Sequence, residues 1–294
     1  MSGPPLYRSA HAQQLAMRAY QDVLDSWPVP AVERSVPTRE GETFVLEFGE
    51  RTNPPLVLLH GSAANSSTWA GDAATWAKDF HAFAVDLPGE TGKSTHRRPP
   101  YAGTTYADWL ADVLDGLGLG RASIAGLSLG GWAALKLASH YPARAGRVAL
   151  ISPGGVVQAK LGFVLRAAVY QRLGRRGIRR ITREVFGPRE TPPGAEEGFA
   201  FMLRNYRARR DNLPPLDDEE LRRITAPVWF IGGDSDALID MAATRERLER
   251  LLAGFEGEIV PGAGHVLFGV AAKAVAWLGR PSSETPAPGP GDRL

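Results

Sequence analysis

Residues 124–131 read Ile124-Ala125-Gly126-Leu127-Ser128-Leu129-Gly130-Gly131, and their reading decides the fold. The apolar run 122–125 has the signature of a buried strand, it ends in a G-x-S-x-G pattern, and a helical pattern over 130–140 follows until Pro142 stops it. A serine at so tight a strand-to-helix turn is forced into a strained backbone. That strain is tolerated only where the residues two before and two after carry no side chain, and Gly126 and Gly130 meet the demand. The turn then lifts the Ser128 hydroxyl clear of the sheet, and the Leu129 N–H points to where a negative oxygen could form. The plainer alternative is a glycine-rich turn with an incidental serine.

Working outward, five more short apolar or β-branched runs recur at 56–59, 82–85, 148–151, 228–231 and 258–260. Such near-continuous runs predict strands covered on both faces. Between them lie helical patterns, clearest over 106–117, with Trp109, Leu110, Val113, Leu114 and Leu117 on one face and Asp108, Asp112 and Asp115 on the other. The alternation predicts an α/β chain with a mostly parallel sheet. Ahead of it, 31–38 and 43–48, joined by Arg39-Glu40-Gly41, predict an antiparallel pair. Residues 1–30 form an N-terminal helical extension, and the proline-rich 281–294 are expected to be a disordered tail. From 154 to 225 no strand pattern occurs, and within 158–223 fifteen Lys/Arg face nine Asp/Glu. This stretch reads as a basic helical insertion.

Composition narrows the function. The chain has 294 residues, 44% hydrophobic and 22% charged, as in ordinary globular proteins. With no cysteine, disulfides, thiolate nucleophiles and Cys-based metal sites are excluded. A net charge of +2, with 29 Arg against five Lys, does not call for nucleic acid as a partner. No apolar window is long enough for a stable membrane insertion, and the polar residues among the first thirty break any signal-peptide core, so the expected location is cytoplasmic. No His/Asp/Glu cluster has metal-ligand spacing, so no metal is assigned.

A hydroxyl needs a base to become a nucleophile. Of the six histidines, His265 alone follows a late strand at its carboxyl end, in Val260-Pro261-Gly262-Ala263-Gly264-His265, where sites of open parallel sheets gather. A carboxylate to orient it is expected between the two in the chain. The run ending at Ile231 leads into Gly232-Gly233-Asp234-Ser235-Asp236, which offers Asp236 as the acid, with Asp234 better suited to capping the turn. A second oxyanion donor is expected after the strand at 56–59, where His60-Gly61-Ser62-Ala63 presents backbone N–H groups, Ser62 first and Ala63 second. His60 itself reads as structural.

Taken together, the order Ser128, Asp236, His265, the His60-Gly61 pair and Asp86-Leu87-Pro88-Gly89 after the next strand resemble an α/β-hydrolase over 36–278. The likeness is greatest to bacterial serine carboxylesterases with a helical cap. It implies an α/β-hydrolase fold with a mostly parallel eight-stranded sheet and helices on both faces. The core would span 31–153 and 226–280, with 154–225 as a cap. It also implies a Ser-His-Asp triad without cofactor, acting on a small-molecule carboxylic ester or thioester through an acyl-serine. Thioester hydrolysis, acyl transfer or cyclisation on the same triad is the alternative, and a non-catalytic binder the more distant one. The serine at position 128 argues against the dehalogenase and epoxide hydrolase branches, which place Asp there.

Two stretches depart from the family pattern. Gly89-Glu90-Thr91-Gly92-Lys93-Ser94 holds one residue more than D-x-x-G-x-G-x-S and a charged Glu90, in a loop that flanks the site mouth. After His265, Val266-Leu267-Phe268-Gly269 predicts an apolar rim. Gly92-Lys93-Ser94 mimics the end of a phosphate-binding loop, but the required earlier glycine is Leu87 and no helix pattern follows. The Arg175-Arg176-Gly177-Ile178-Arg179-Arg180 run, after the apolar-basic 161–173, fits either a membrane-surface or anionic-ligand patch or a solvated helix face, and the solvated face is the expectation.

Overall fold

A computed structural model of the chain describes residues 5–209 and 211–280, so the expected tail at 281–294 lies outside the described residues. Helix α1 (Ala10–Asp25) comes first, its start capped by Ser9, whose hydroxyl accepts the Ala12 N–H. The hairpin β1 (Ala31–Thr38) and β2 (Gly41–Phe48) follows in the predicted place, paired from Ala31↔Phe48 to Thr38↔Gly41. Next come β3 (Pro55–Leu59), α2 (Ala73–Asp79), β4 (His81–Val85), α3 (Thr105–Gly116), β5 (Ala122–Leu127), α4 (Leu129–His140) and β6 (Ala145–Ile151). Four helices lie between β6 and the next strand: α5 (Leu161–Gln171), α6 (Gly174–Phe186), α7 (Ala195–Asn205) and α8 (Asp218–Arg222). The chain then returns through β7 (Val228–Gly233), α9 (Met241–Leu251), β8 (Phe255–Val260) and α10 (Ala271–Leu278).

The eight strands form one sheet in the order β1-β2-β4-β3-β5-β6-β7-β8. Strand β2 runs antiparallel to β1 and β4, and every other pair is parallel. Alternation along β3 shows why both faces carry helices. Leu56 and Leu58 pack with Trp76, Phe80 and Trp277 on one side, while Val57 and Leu59 pack with Trp109, Leu110, Leu114 and Trp132 on the other. All four β3 leucine and valine side chains are fully buried.

Several strands run longer than their apolar runs predict, β5 to Leu127 and β6 from Ala145 among them. Strand β7 continues through Gly232 and Gly233, which have no side chain to signal burial, and β8 begins at Phe255 instead of 258. β8 is the sheet's last strand and half-exposed along its length, so the alternation in Phe255-Glu256-Gly257-Glu258 carries no continuous apolar signal. The turns after β3, β5, β7 and β8 meet at the carboxyl edge of the sheet, where β5 sits between strands that arrive from opposite directions of the winding.

Candidate active site

Ser128 lies between β5 and α4 at φ 51° and ψ −108°. A non-glycine residue held there costs on the order of 1–3 kcal/mol. Its surroundings enforce the turn. The Ser128 N–H donates to the Ile151 carbonyl at 3.0 Å, and its own carbonyl accepts from Trp132 N–H at 3.0 Å and Gly154 N–H at 3.1 Å. Both flanking glycines are sterically required: a Cβ on Gly126 would sit 2.5 Å from the Gly130 carbonyl group, and one on Gly130 would sit 2.1 Å from the Leu59 carbonyl oxygen. The other two non-glycine residues with positive φ among the described residues, Ala63 and Ser152, also follow the carboxyl ends of strands, β3 and β6. Backbone strain is thus gathered around one end of the sheet.

The structure brings Ser128, His265 and Asp236 together. His265 Nε2 lies 2.9 Å from Ser128 Oγ, and Nδ1 lies 2.7 Å from Asp236 Oδ2. These partners assign the tautomer: the carboxylate only accepts, so Nδ1 carries the proton and Nε2 presents its lone pair to the hydroxyl. The second Asp236 oxygen accepts the N–H groups of Leu238 at 2.7 Å and Ile239 at 3.0 Å. Burial pushes this carboxyl up, but the adjacent His265 and the two backbone donors outweigh it, and its pKa falls below the ordinary carboxylate value. Asp234 stands apart from the triad. Its Oδ1 accepts the Gly262 N–H at 2.7 Å, which ties the β7 turn to the loop that carries His265.

Leu129 and Ser62 flank the serine, and among the described residues neither N–H has a hydrogen-bond partner. The loop that holds Ser62 comes close: a Cβ on Gly61 would lie 3.5 Å from Ser128 Cβ. The Ala63 N–H is instead donated to Glu90 Oε2 at 2.7 Å. His60 is fully buried, with Nδ1 2.8 Å from the Gly61 carbonyl and Nε2 accepting the Leu87 N–H at 2.9 Å. Burial lowers its pKa, so it is a neutral strut.

Several positioning groups surround these residues, Glu90 and Asp86 from stretches that the sequence singles out, Lys160 and Val185 without a local sequence signal. Glu90 is buried under the Ser62 loop, where Oε2 also accepts the Tyr206 hydroxyl at 2.9 Å from beyond α7. Burial raises the Glu90 pKa to about 7 against the ordinary 4.5. Lys160, at the start of α5, donates Nζ to the Asp236 carbonyl at 2.7 Å, and the His265 N–H donates to the Val185 carbonyl of α6 at 2.7 Å. Asp86 accepts from Tyr20, Ser66 and the Lys93 N–H, joining α1 to the loop after β4. Lys93 itself is spent on Glu33 at 2.8 Å, as a coil residue and not in a phosphate loop. Among the described residues no group of three or more His, Asp or Glu side chains could hold a metal ion. A cavity of about 570 Å³ beside Trp229, Phe255 and Trp277 holds none of these residues.

A profile of the alpha/beta hydrolase family matches residues 56–276. The chain belongs to this family. Carboxylesterase YbfK of Bacillus subtilis is 31% identical over 260 residues, spanning 85% of this chain and 87% of the relative. The crystal structure of that protein, CesB (YbfK), superposes with a TM-score of 0.78 at 28% identity, covering 92% of this chain and 96% of the other. Naproxen esterase (carboxylesterase NP) from Bacillus subtilis gives a TM-score of 0.78 at 26% identity over 94% and 97% of the two chains. The chain is therefore a hydrolase of the carboxylesterase-like branch.

Proposed function

We propose that the chain hydrolyses carboxylic esters of small molecules through an acyl-serine intermediate, with Ser128 as nucleophile, His265 as base and Asp236 as the residue that orients it. The observation that carries this reading is the unbroken run of hydrogen bonds from Ser128 Oγ through His265 to Asp236, at 2.9 Å and 2.7 Å. The carboxylesterase relatives support esters as the substrate class.

In the first half-reaction, Ser128 Oγ attacks the carbonyl carbon while its proton passes to His265 Nε2. Asp236, ionised at neutral pH, stabilises the imidazolium through Nδ1. The carbonyl oxygen becomes an oxyanion that the Leu129 and Ser62 N–H groups receive. Ala63 is excluded from that role because Glu90 holds its N–H. The tetrahedral carbon then expels the alkoxide, which takes the proton from His265 and leaves as alcohol. Water, deprotonated by His265, attacks the acyl-serine, and the acid departs as the proton returns to Ser128. We place helices α5–α8, over 154–225, as the cap that shapes the acyl and alcohol pockets.

The test is Ser128→Ala assayed on a graded series of p-nitrophenyl esters. The reading requires turnover in the wild type and a fall of at least about 10³-fold in the variant, with the fold intact by circular dichroism. Comparable turnover in both proteins would remove Ser128 from the mechanism.

A further inference from the structure

Helix α5 is packed on one side only. Phe163, Ala167 and Tyr170 turn toward Ile181, Val185 and Phe186 of α6. On the other side Leu161, Leu165, Val169 and Leu173 follow at four-residue intervals and are exposed by 69%, 60%, 55% and 45%. Four large aliphatic side chains in one helical row, all open to water, form an unusual surface for a folded monomer. Beside the row, Arg172, Arg175, Arg176 and Arg179 are exposed and have no ion-pair partner among the described residues. Nearby arginines differ: Arg166 is bound to Glu184 at 2.8 Å, and Arg180 lies over the Tyr170 ring at 5.7 Å. Across 160–186 eight Lys/Arg face a single acid, Glu184.

We propose that the α5–α6 hairpin is a peripheral docking surface for an anionic lipid bilayer, with the aliphatic row entering the headgroup boundary and the unpaired arginines meeting lipid phosphates. An apolar row flanked by unpaired cations is the charge and polarity pattern such a surface selects. Charge complementarity argues against a second copy of the chain as occupant. A two-fold contact through this row would bring the two arginine clusters together with one acid on each side to answer them. No described helix is long and apolar enough to cross a membrane, so the docking is on the surface.

The hairpin is also joined to the candidate active site at both ends. At its start Lys160 donates its N–H to the Leu238 carbonyl and Nζ to the Asp236 carbonyl, each at 2.7 Å. At its end the Val185 carbonyl receives the His265 N–H. Docking therefore sets the loops of the acid and the base beside the bilayer, where apolar esters partition. The docking itself does not rest on the hydrolytic reading, since it requires neither Ser128 nor turnover.

The test is co-sedimentation with vesicles of phosphatidylcholine alone and of phosphatidylcholine containing about one-third phosphatidylglycerol. The wild type is expected to bind the anionic vesicles at least about tenfold more tightly and to release them in about 0.5 M salt. Arg175→Glu/Arg176→Glu/Arg179→Glu is expected to lower that binding about a hundredfold. Leu165→Gln/Val169→Gln is expected to lower it about tenfold with its circular dichroism and melting temperature those of the wild type, which establishes that it folds. Ser128→Ala is expected to bind as the wild type does, so loss of hydrolysis and loss of docking are read separately. Absence of binding to either vesicle, or equal binding to both, would overturn the proposal. A concentration-dependent dimer abolished by Leu165→Gln/Val169→Gln, without vesicle binding, would overturn it too and give the face to a second copy.

Discussion

The turn at Ser128 and the α5–α6 hairpin both reach the loop that carries His265, and they are built on different physics. Around the turn every atom is constrained. Gly126 and Gly130 have no room for a Cβ, α4 is buried along nearly its whole length, and the strained serine is held by three backbone hydrogen bonds. The hairpin rests on a small cluster at Ile181, Val185 and Phe186 and turns its aliphatic row to water. Chemistry that needs fixed distances belongs to the first region, because a reacting pair displaced by an ångström loses most of its advantage. Adaptation to a surface or a substrate belongs to the second, where few buried contacts leave local opening cheap.

The contrast can be broken most sharply at the constrained end. Asp236→Asn keeps the shape of the triad but replaces an acceptor by an amide that can hold His265 in the wrong tautomer. Its kcat on p-nitrophenyl esters is expected to fall about 10³- to 10⁴-fold with little change in melting temperature. Activity within about tenfold of wild type would show that Asp236 does not orient the base.

A smaller effect separates the two regions energetically. Ile124→Ala, beneath the serine on β5, is expected to cost about 3–4 kcal/mol in urea unfolding, whereas Leu165→Ala on α5 is expected to stay within about 0.5 kcal/mol. Similar costs at the two sites would mean that the aliphatic row is covered in solution.

The smallest effect tests a contact outside both regions, between the Ser62 loop and Tyr206. Glu90 receives N–H and O–H donors from the Ser62 loop and from Tyr206, and burial raises its pKa to about 7 from 4.5. The folded chain therefore keeps a proton that the unfolded chain has released. Stability falls as pH rises through that interval, by about 3 kcal/mol between about pH 4.5 and pH 8. Glu90→Gln keeps an acceptor for both donors and has no proton to lose, so its stability is expected to be flatter over the same range, with its ester hydrolysis close to wild type. Parallel pH profiles for the two proteins would contradict a buried, titrating Glu90.

The same division governs what the sequence reveals. The elbow is legible because its requirements are local: a strand, two glycines at fixed distances from a serine, a helix. Strand β2 and most of the parallel strands are legible because burial writes itself as apolar runs, whereas the mostly exposed β1 is legible from its β-branched residues and the Arg39-Glu40-Gly41 turn. Strand β8 loses three residues because half-exposed edges mix Phe, Glu and Gly. The choice between Ser62 and Ala63 cannot be made locally. It turns on Glu90, which reaches the loop from 27 residues away, in the very stretch that departs from the family pattern. Lys160, Tyr206 and Val185 act through positions set by the packing of α5–α7, which no periodicity encodes. The solvated face expected at 175–180 is half the picture, since exposure of the neighbouring aliphatic row becomes visible only once α5 is placed.

The central claim is that the Ser128 hydroxyl is made nucleophilic by His265. Its most direct test is to treat the wild type and His265→Ala with a fluorophosphonate and map the adduct by peptide mass spectrometry. The account predicts a single covalent phosphonyl adduct on Ser128 in the wild type and, in the His265→Ala protein, labelling slowed by at least about a hundredfold. An adduct on another residue, or labelling of Ser128 at the same rate without His265, would contradict it.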